Sequence, residues 1–424
     1  MDGAAFAAPD FRIPRTPHPA PRATPMPESF EAVVIGAGPA GLASSRELAR
    51  RRVAHVVLER GRAVGHSWAN LYDSLTLHTG KHLSALPGLK LPRSAPLFVP
   101  RGQFTDYLRR YAEHFSLPVR VGWEVQHVER AANGTARWRI EGVAGGKAAS
   151  IDAGAVVVAT GIIANPRLPR LTGRDEFERA GGRVLHSIDY RRPDDVLGKR
   201  VLVVGVGNSG GEIASEIARA GAAEGRPTHV TIAVRSGANV VPRDILGVPI
   251  QYLARYLRKL PRAARDVVLA GIGRLIELRQ GPPVLPRPPY GPLDAIPLIG
   301  FHLTNAIRDK LIDVRGGVER LTTTGALFAD AKEPREVPFD VIILATGFAS
   351  ALQPFGELVR VDPKGFAVRR DLVQSADHPG LYFVGHNYDS SGGLFNIARD
   401  AQLAAEAIAA ATRDSARRAG RDSA

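Results

Sequence analysis

The sequence predicts an α/β fold built on two β-α-β units, the second set inside the first. Three observations carry that prediction. Short apolar runs at residues 32–35 and 201–204 each lead into a turn of three glycines, Gly36-Ala37-Gly38-Pro39-Ala40-Gly41 and Gly205-Val206-Gly207-Asn208-Ser209-Gly210. Each turn opens a helical segment, to about Arg50 and over residues 212–220, that returns to a further apolar run at 53–58 and 230–234. At 424 residues the chain also exceeds the roughly 250 to 300 at which one hydrophobic core stops growing. The architecture expected is therefore two Rossmann-like dinucleotide-binding domains in one chain.

Taken in order, residues 1–28 form a tail rich in proline, with no apolar run able to serve as a signal-peptide core. Residues 29–165 make the first part of the first domain. An irregular tract at 61–97 holds Trp68, Tyr72, His78 and His82, and is followed by a helical stripe of Phe104, Tyr107, Leu108, Tyr111 and Phe115 read as core packing. Strands are expected at 121–128, 136–140 and 155–159, the last reaching Thr160-Gly161. Residues 166–340 make the second domain, including Arg-bearing helices over 250–278 that cover it, with a substrate-capping or membrane-facing role as the alternative, and a connection marked by Pro282, Pro283, Pro286, Pro288 and Pro289. Residues 341–413 return to the first domain through strands at 339–344 and 381–384 and a closing helix at 397–411, leaving 414–424 as a tail.

Composition removes several functions. The formal charge of +14 is diffuse, with no run resembling a nucleic-acid-binding tail, so no nucleic-acid partner is expected. Zero cysteines exclude disulfides, thiolate metal sites and a Cys nucleophile, and no metal is expected. No stretch approaches about 18 uninterrupted apolar residues, so no spanning helix is expected and the chain is read as cytoplasmic. Asn133-Gly134-Thr135 has glycosylation spacing that an unexported chain leaves idle. The sequence leaves the oligomeric state open, with a homodimer among the alternatives.

The glycine turns carry the chemistry. Gly36, Gly38 and Gly41, with Pro39 and Ala40 between them, permit a tight turn, close approach of a pyrophosphate and close helix–sheet packing. Backbone donors and the helix dipole then stabilise phosphate without a basic side chain. Glu59, 18 residues beyond Gly41 and followed by Arg60, stands where a carboxylate accepts hydrogen bonds from ribose hydroxyls. Gly205, Gly207 and Gly210 repeat the turn, but the next strand ends at Arg235, whose guanidinium suits a ribose carrying a 2'-phosphate. The first unit fits FAD and the second NADPH, which implies hydride transfer between two bound cofactors. The residues leave open whether the electrons pass to oxygen and substrate, a disulfide, a quinone or another protein, although the absence of cysteine removes an internal redox disulfide.

At this point the sequence resembles the class B flavoprotein monooxygenases over most of residues 31–400. Gly65 and Trp68 resemble a short Gly and Trp segment of the family, and Ala159-Thr160-Gly161 and Ala345-Thr346-Gly347 its paired crossings between domains. Gly182, His186 and Tyr190 match its flavin-containing monooxygenase fingerprint, with Ala180 at the usual Phe position. Tyr72 to His78, with Gln103-Phe104 and Tyr107-Leu108, resemble the YUCCA type of indole-3-pyruvate monooxygenase and its bacterial relatives, while the ending over residues 385–393 differs. The resemblance implies a cofactor site that also takes in Trp68, His78, Thr79, Gln103, Val125, Thr160, Gly161, Ser209, Thr346, Gly347 and Gly385. It places His78 and Asn208 as catalytic residues at the flavin–nicotinamide junction, and His186 as a brace of the interdomain link. It gives Arg243 a place beside the NADPH domain, with His302, Asn305, His386, Asn387 and Asp389 as pocket candidates. The activity implied is insertion of one atom of O2 into a small organic substrate through a flavin C4a-(hydro)peroxide. Baeyer-Villiger or 2-oxo-acid decarboxylating oxygenation, or a non-oxygenating NADPH-dependent oxidoreductase, stand as alternatives. His78, where many N-oxygenating members carry Asn, argues against simple amine oxidation.

Overall fold

The computed structural model describes residues 28–131, 137–163, 165–329, 335–387, 389 and 392–422. The expected tail at 1–27, Asn133-Gly134-Thr135, Tyr388, Ser390 and Ser391 lie outside the described residues.

The first sheet contains β1 (Glu28–Ile35), β2 (His55–Glu59), β3 (Val119–Val121), β4 (Trp123–Arg130), β5 (Trp138–Ala144) and β6 (Lys147–Val158) in the order β3-β2-β1-β6-β5-β4. Its centre is parallel: Val33 faces Val56 on one side and Val156 on the other, and all three are buried. Burial on both faces explains why these strands read as unbroken valine-rich runs rather than alternating ones. The Gly36–Gly41 turn then starts α1 (Pro39–Arg50), with Pro39 in the first turn, where a missing N–H costs nothing. The expected aromatic stripe lies on α2 (Arg101–His114), with Phe104, Tyr107, Leu108 and Tyr111 essentially inaccessible.

The second sheet is wholly parallel. Its strands are β7 (Arg183–His186), β8 (Arg200–Val204), β9 (His229–Ala233), β10 (Ile312–Arg315) and β11 (Val341–Leu344), in the order β10-β9-β8-β11-β7. Helix α3 (Asn208–Ala223) follows its glycine turn. Then come α4 (Ile250–Leu257), α5 (Arg262–Gln280) and α6 (His302–Arg308). Strand β12 (Leu381–Phe383) pairs with Val156–Val158 of β6, and α7 (Gly393–Asp422) closes the chain.

Three expectations change. Residues 341–344, assigned to the returning part of the first domain, instead form β11 in the middle of the second sheet, where Ile343 pairs with Val203 and Leu185. The chain returns to the first domain only after Ala345. The expected tail at 414–424 is helical to Asp422, because the alanine-rich pattern of α7 has no stop signal at 413. Glu28, assigned to the opening tail, is the first residue of β1 and is ion-paired with Arg120.

Candidate active site between the glycine turns

Within each turn the three glycines divide two tasks. Gly36 has φ +106°, and a Cβ there would stand 2.5 Å from the Ala159 carbonyl oxygen; one on Gly41 would stand 1.7 Å from the Gly36 oxygen. Gly205 (φ +109°) and Gly210 repeat this against the Ala345 and Gly205 oxygens, at 2.5 and 2.1 Å. These four positions are closed by the protein itself. The middle glycines differ: a Cβ on Gly38 or Gly207 meets nothing within 4 Å. Each turn thus presents a bare, open face beside the first turn of a helix, the arrangement that accepts a pyrophosphate. Glu59 is buried, and its carboxylate accepts hydrogen bonds at 2.7 Å from the Ala37 and Gly61 amides, so it braces the first turn as well as facing the cavity.

Ala159 and Ala345 close their turns because the two crossings between domains lie directly behind them. The crossings run side by side: the Arg167 amide donates to the Gly347 carbonyl at 3.0 Å and the Ala349 amide to Asn165 at 2.9 Å. The Thr160 hydroxyl donates to the Ala351 carbonyl at 2.8 Å and the Thr346 hydroxyl to the Arg167 carbonyl at 2.6 Å. His186, at the end of β7, ties the fingerprint to this linker. Its Nδ1 accepts the Ile188 amide at 3.2 Å, which leaves the proton on Nε2 to reach the Gly347 carbonyl at 3.1 Å. Burial lowers its pKa, keeping that neutral tautomer. Within the same fingerprint Gly182 lies against the Phe177 ring, where a Cβ would come within 2.3 Å, so a buried phenylalanine three positions before Ala180 backs the motif.

One cavity of about 860 Å³ joins the two turns. Gly36, Gly38, Pro39, Ala40 and Glu59 line its first end, and Trp68, His78, Thr79, Thr160, Gly161 and Gly385 its middle. Asn208 and Ser209 bring in the second turn. Beyond them the wall is mostly apolar, with Leu253 and Leu257 from α4, Ile272 and Ile276 from α5, and Leu285 and Ile299 from the connections, and it also carries the charged Arg274, Glu277, Arg287 and Arg308. The 250–278 helices thus contribute to the cavity wall. Other expected residues lie off this wall. Arg60 is exposed past β2, Gln103 is exposed on α2, and Val125 packs under the first sheet. Gly41, Gly205 and Gly210 are closed off behind the lining by the protein itself, whereas Gly207 and Gly347 are exposed and, with Thr346, lie in the second turn and its crossing off this wall. Arg235 is exposed at the end of β9, its stem beside Gly317.

The seam between the domains is polar and tied. His78 Nε2 lies 2.7 Å from Glu212 Oε1, and the Tyr72 hydroxyl donates to Glu212 Oε2 at 2.5 Å. One carboxylate in the second turn of α3 thus holds both ends of the 72–78 segment. Burial alone would raise the pKa of Glu212, but the hydrogen bond and charge of His78, with the Tyr72 hydroxyl, outweigh it and hold the carboxyl below its ordinary value. Glu216, one turn on, accepts the Tyr190 hydroxyl at 2.9 Å, and burial raises its pKa. From the 240–251 connection, Arg243 donates to the Leu77 carbonyl at 3.0 Å and stacks on Phe98, and Gln251 donates to the His78 carbonyl at 2.8 Å. Arg243 is therefore bound to the first domain's loop. Asn208, the other catalytic candidate, has its amide held between the Pro297 carbonyl at 3.1 Å and the Ile299 N–H at 2.8 Å.

Glu212 and Gln251 escaped the sequence reading. The i, i+4 spacing of Glu212 and Glu216 on the helix after the second turn was the available signal, since it sets two carboxylates on one face. Among the pocket candidates, His302 is mostly buried, its Nε2 has no hydrogen-bond partner, and burial lowers its pKa. His386 lies behind Gly385 with neither ring nitrogen bonded, its pKa pushed down to about 3 by burial. Asn387 bonds Asp400 at 2.6 Å and Arg369 at 3.0 Å, and Asp389 pairs with Arg258. Asn305 sits on α6, bound through its backbone to Phe301.

The flavin-binding monooxygenase-like family matches residues 31–365. The chain is 33% identical over 389 residues to the indole-3-pyruvate monooxygenase YUCCA1 of Oryza sativa subsp. japonica, covering 87% of this chain and 90% of the relative. It is also 33% identical over 388 residues to the indole-3-pyruvate monooxygenase YUCCA6 of Arabidopsis thaliana, covering 89% of each. In fold it is similar to a flavin-containing monooxygenase from Stenotrophomonas maltophilia, with TM-score 0.67 at 24% identity over 91% of this chain and 99% of that one. A closed crystal structure of cyclohexanone monooxygenase gives TM-score 0.65 at 17% identity, covering 92% and 85%. With two glycine turns opening onto one cavity and a family match spanning both, the chain belongs to the flavin-binding monooxygenase-like family, as a monooxygenase that uses FAD and NADPH.

Proposed function

We propose that the chain transfers one atom of molecular oxygen to a small, largely apolar substrate held in the cavity between the two turns. The observation that carries this reading is the continuity of that cavity from Gly38 through His78 to Asn208 and on into the apolar wall of α4 and α5. Bound FAD, reduced by NADPH, supplies the oxygen activation. The chain's own residues do the rest. The open face of Gly38 and the start of α1 hold the FAD pyrophosphate, Glu59 the ribose, the open face of Gly207 the NADPH pyrophosphate and Arg235 its 2'-phosphate. His78 and Asn208, each already fixed by a partner, keep the two ring systems in register, and the apolar wall excludes water from the reacting atoms.

The curated relatives favour an aromatic 2-oxo acid as the substrate class, since both are named indole-3-pyruvate monooxygenases. The apolar wall suits the ring, and Arg308, which lines the cavity and has a buried Nη1 without a hydrogen-bond partner, offers a cation for the carboxylate. The test is turnover with NADPH under isotopically labelled dioxygen across 2-oxo acids, ketones, amines and sulfides, with products read by mass spectrometry. One labelled oxygen atom per product molecule is expected, with loss of CO2 from the 2-oxo acid. NADPH consumption giving only hydrogen peroxide across the whole panel would replace the reading with an oxidase, and conversion of a ketone substrate to an ester or lactone with all its carbon retained would favour Baeyer-Villiger insertion.

A further inference from the structure

Of the sixteen large hydrophobic side chains exposed among the described residues, nine lie between Ile245 and Leu278. Scattered exposed leucines need no explanation, but a concentration of this kind marks an interaction surface. Its longest element, α5, divides its apolar residues between two faces. Leu269, Ile272 and Ile276 line the cavity. Val267, Gly271, Leu275 and Leu278, at i, i+4, i+8 and i+11, form a stripe on the opposite side, with Val267 73% and Leu278 84% exposed. At about 3.6 residues per turn, Arg279 falls on one edge of that stripe and Arg274 on the other, where it is exposed and also borders the cavity. Residues 245–280 carry seven Lys or Arg against two acidic residues. Those two are already engaged, Asp266 by Arg262 and Arg265, and Glu277 by Arg287.

The charge selects the occupant. A second copy of the chain would set the same cations against each other, and a neutral apolar partner would leave Arg274 and Arg279 uncompensated. An anionic lipid surface answers both the stripe and its edges. We infer that the outer face of α5 docks on an anionic phospholipid bilayer, with Val267, Leu275 and Leu278 in the headgroup–acyl boundary and Arg274 and Arg279 on lipid phosphates. No helix among the described residues is long and apolar enough to cross a membrane, so the contact lies on the surface. Because the inner face of the same helix lines the cavity, docking sets the cavity wall at the lipid boundary, where an apolar substrate partitions.

The experiment is co-sedimentation of the full, FAD-loaded chain with phosphatidylcholine vesicles and with phosphatidylcholine–phosphatidylglycerol vesicles. Binding is expected to the mixed vesicles, weakening as salt is added. Leu278→Glu should lower the partition constant at least about tenfold, and Arg279→Glu about fivefold or more. Val361→Glu, at an exposed position outside the patch, should leave binding unchanged. Since Leu278 already faces water, its variant should keep the wild-type FAD content and melting temperature, so lost binding cannot be put down to misfolding. Absence of sedimentation with the mixed vesicles, or equal sedimentation of Leu278→Glu and wild type, overturns the inference. So does a concentration-dependent dimer abolished by Leu278→Glu in the absence of vesicle binding, which gives the face to a second copy.

Discussion

The carboxylate of Glu212 is the most economical place to perturb the seam. Glu212→Gln keeps the shape of the side chain and removes its charge, leaving the hydrogen-bond partners Tyr72 and His78 in place at 2.5 and 2.7 Å. A hydrogen bond to a charged group contributes about 1.5–3 kcal/mol and a neutral one about 0.5–1.5. Losing the charge from two such bonds therefore costs about 2 kcal/mol, or roughly 30-fold in the equilibrium that holds α3 against the 72–78 segment. The first glycine turn, proposed to hold FAD, keeps its own bonds to Glu59, so FAD content should stay at the wild-type level. The NADP+ dissociation constant should rise by up to about that factor, and the share of NADPH oxidised to hydrogen peroxide rather than product should increase. Visible absorbance gives FAD content, a titration gives NADP+ affinity, and peroxide and product assays give the partition. A Gln variant with wild-type NADP+ affinity and wild-type coupling would refute the role of the clasp. Glu212→Ala goes further, since it leaves His78 and Tyr72 without their partner; a loss of about 3–5 kcal/mol is expected, with lower yield of folded protein.

The glycines offer a separation of fold from cofactor. Gly38→Ala should leave the melting temperature of the FAD-free chain unchanged yet weaken FAD binding, because the new methyl meets no protein atom but occupies the open face. Gly41→Ala, with its Cβ 1.7 Å from the Gly36 oxygen, should destabilise the chain with or without FAD, as thermal melts of both forms will report. Arg235→Ala should raise the KM for NADPH about tenfold or more while leaving that for NADH nearly unchanged, a difference read from steady-state reduction with each nucleotide. His386 makes stability pH-dependent. Its folded pKa of about 3 lies below the ordinary value of 6.5, so between those values the unfolded chain binds a proton that the folded chain does not. Stability from this residue is complete above about pH 6.5 and falls by up to about 1.4 kcal/mol per unit as the pH drops toward 3. His386→Phe, in a site walled by Phe383 and Phe366, should flatten that slope in denaturant titrations run across the range.

What the sequence determined by itself is local. Valine-rich runs buried on both faces and three glycines opening a helix act within a few tens of residues, so both β-α-β units and their order could be read from the chain. The aromatic stripe of α2 was legible for the same reason: a helix repeats its buried face every three or four residues. Tertiary structure alone decided what depends on contacts between distant segments. The four-residue run of β11 could belong to either sheet, and only its pairing with Val201–Val204 and Arg183–His186 settles the matter. Ala159 and Ala345 act as stops behind the glycines because both crossings return beneath the turns, a relation across more than a hundred residues that periodicity does not record. In the sequence Glu212 is one acid on a helix; its partners Tyr72 and His78 are brought to it only by the packing of distant segments. The second face of α5 became visible in the same way, since a stripe of Val and Leu declares itself an outer surface only when the opposite stripe is seen to line the cavity.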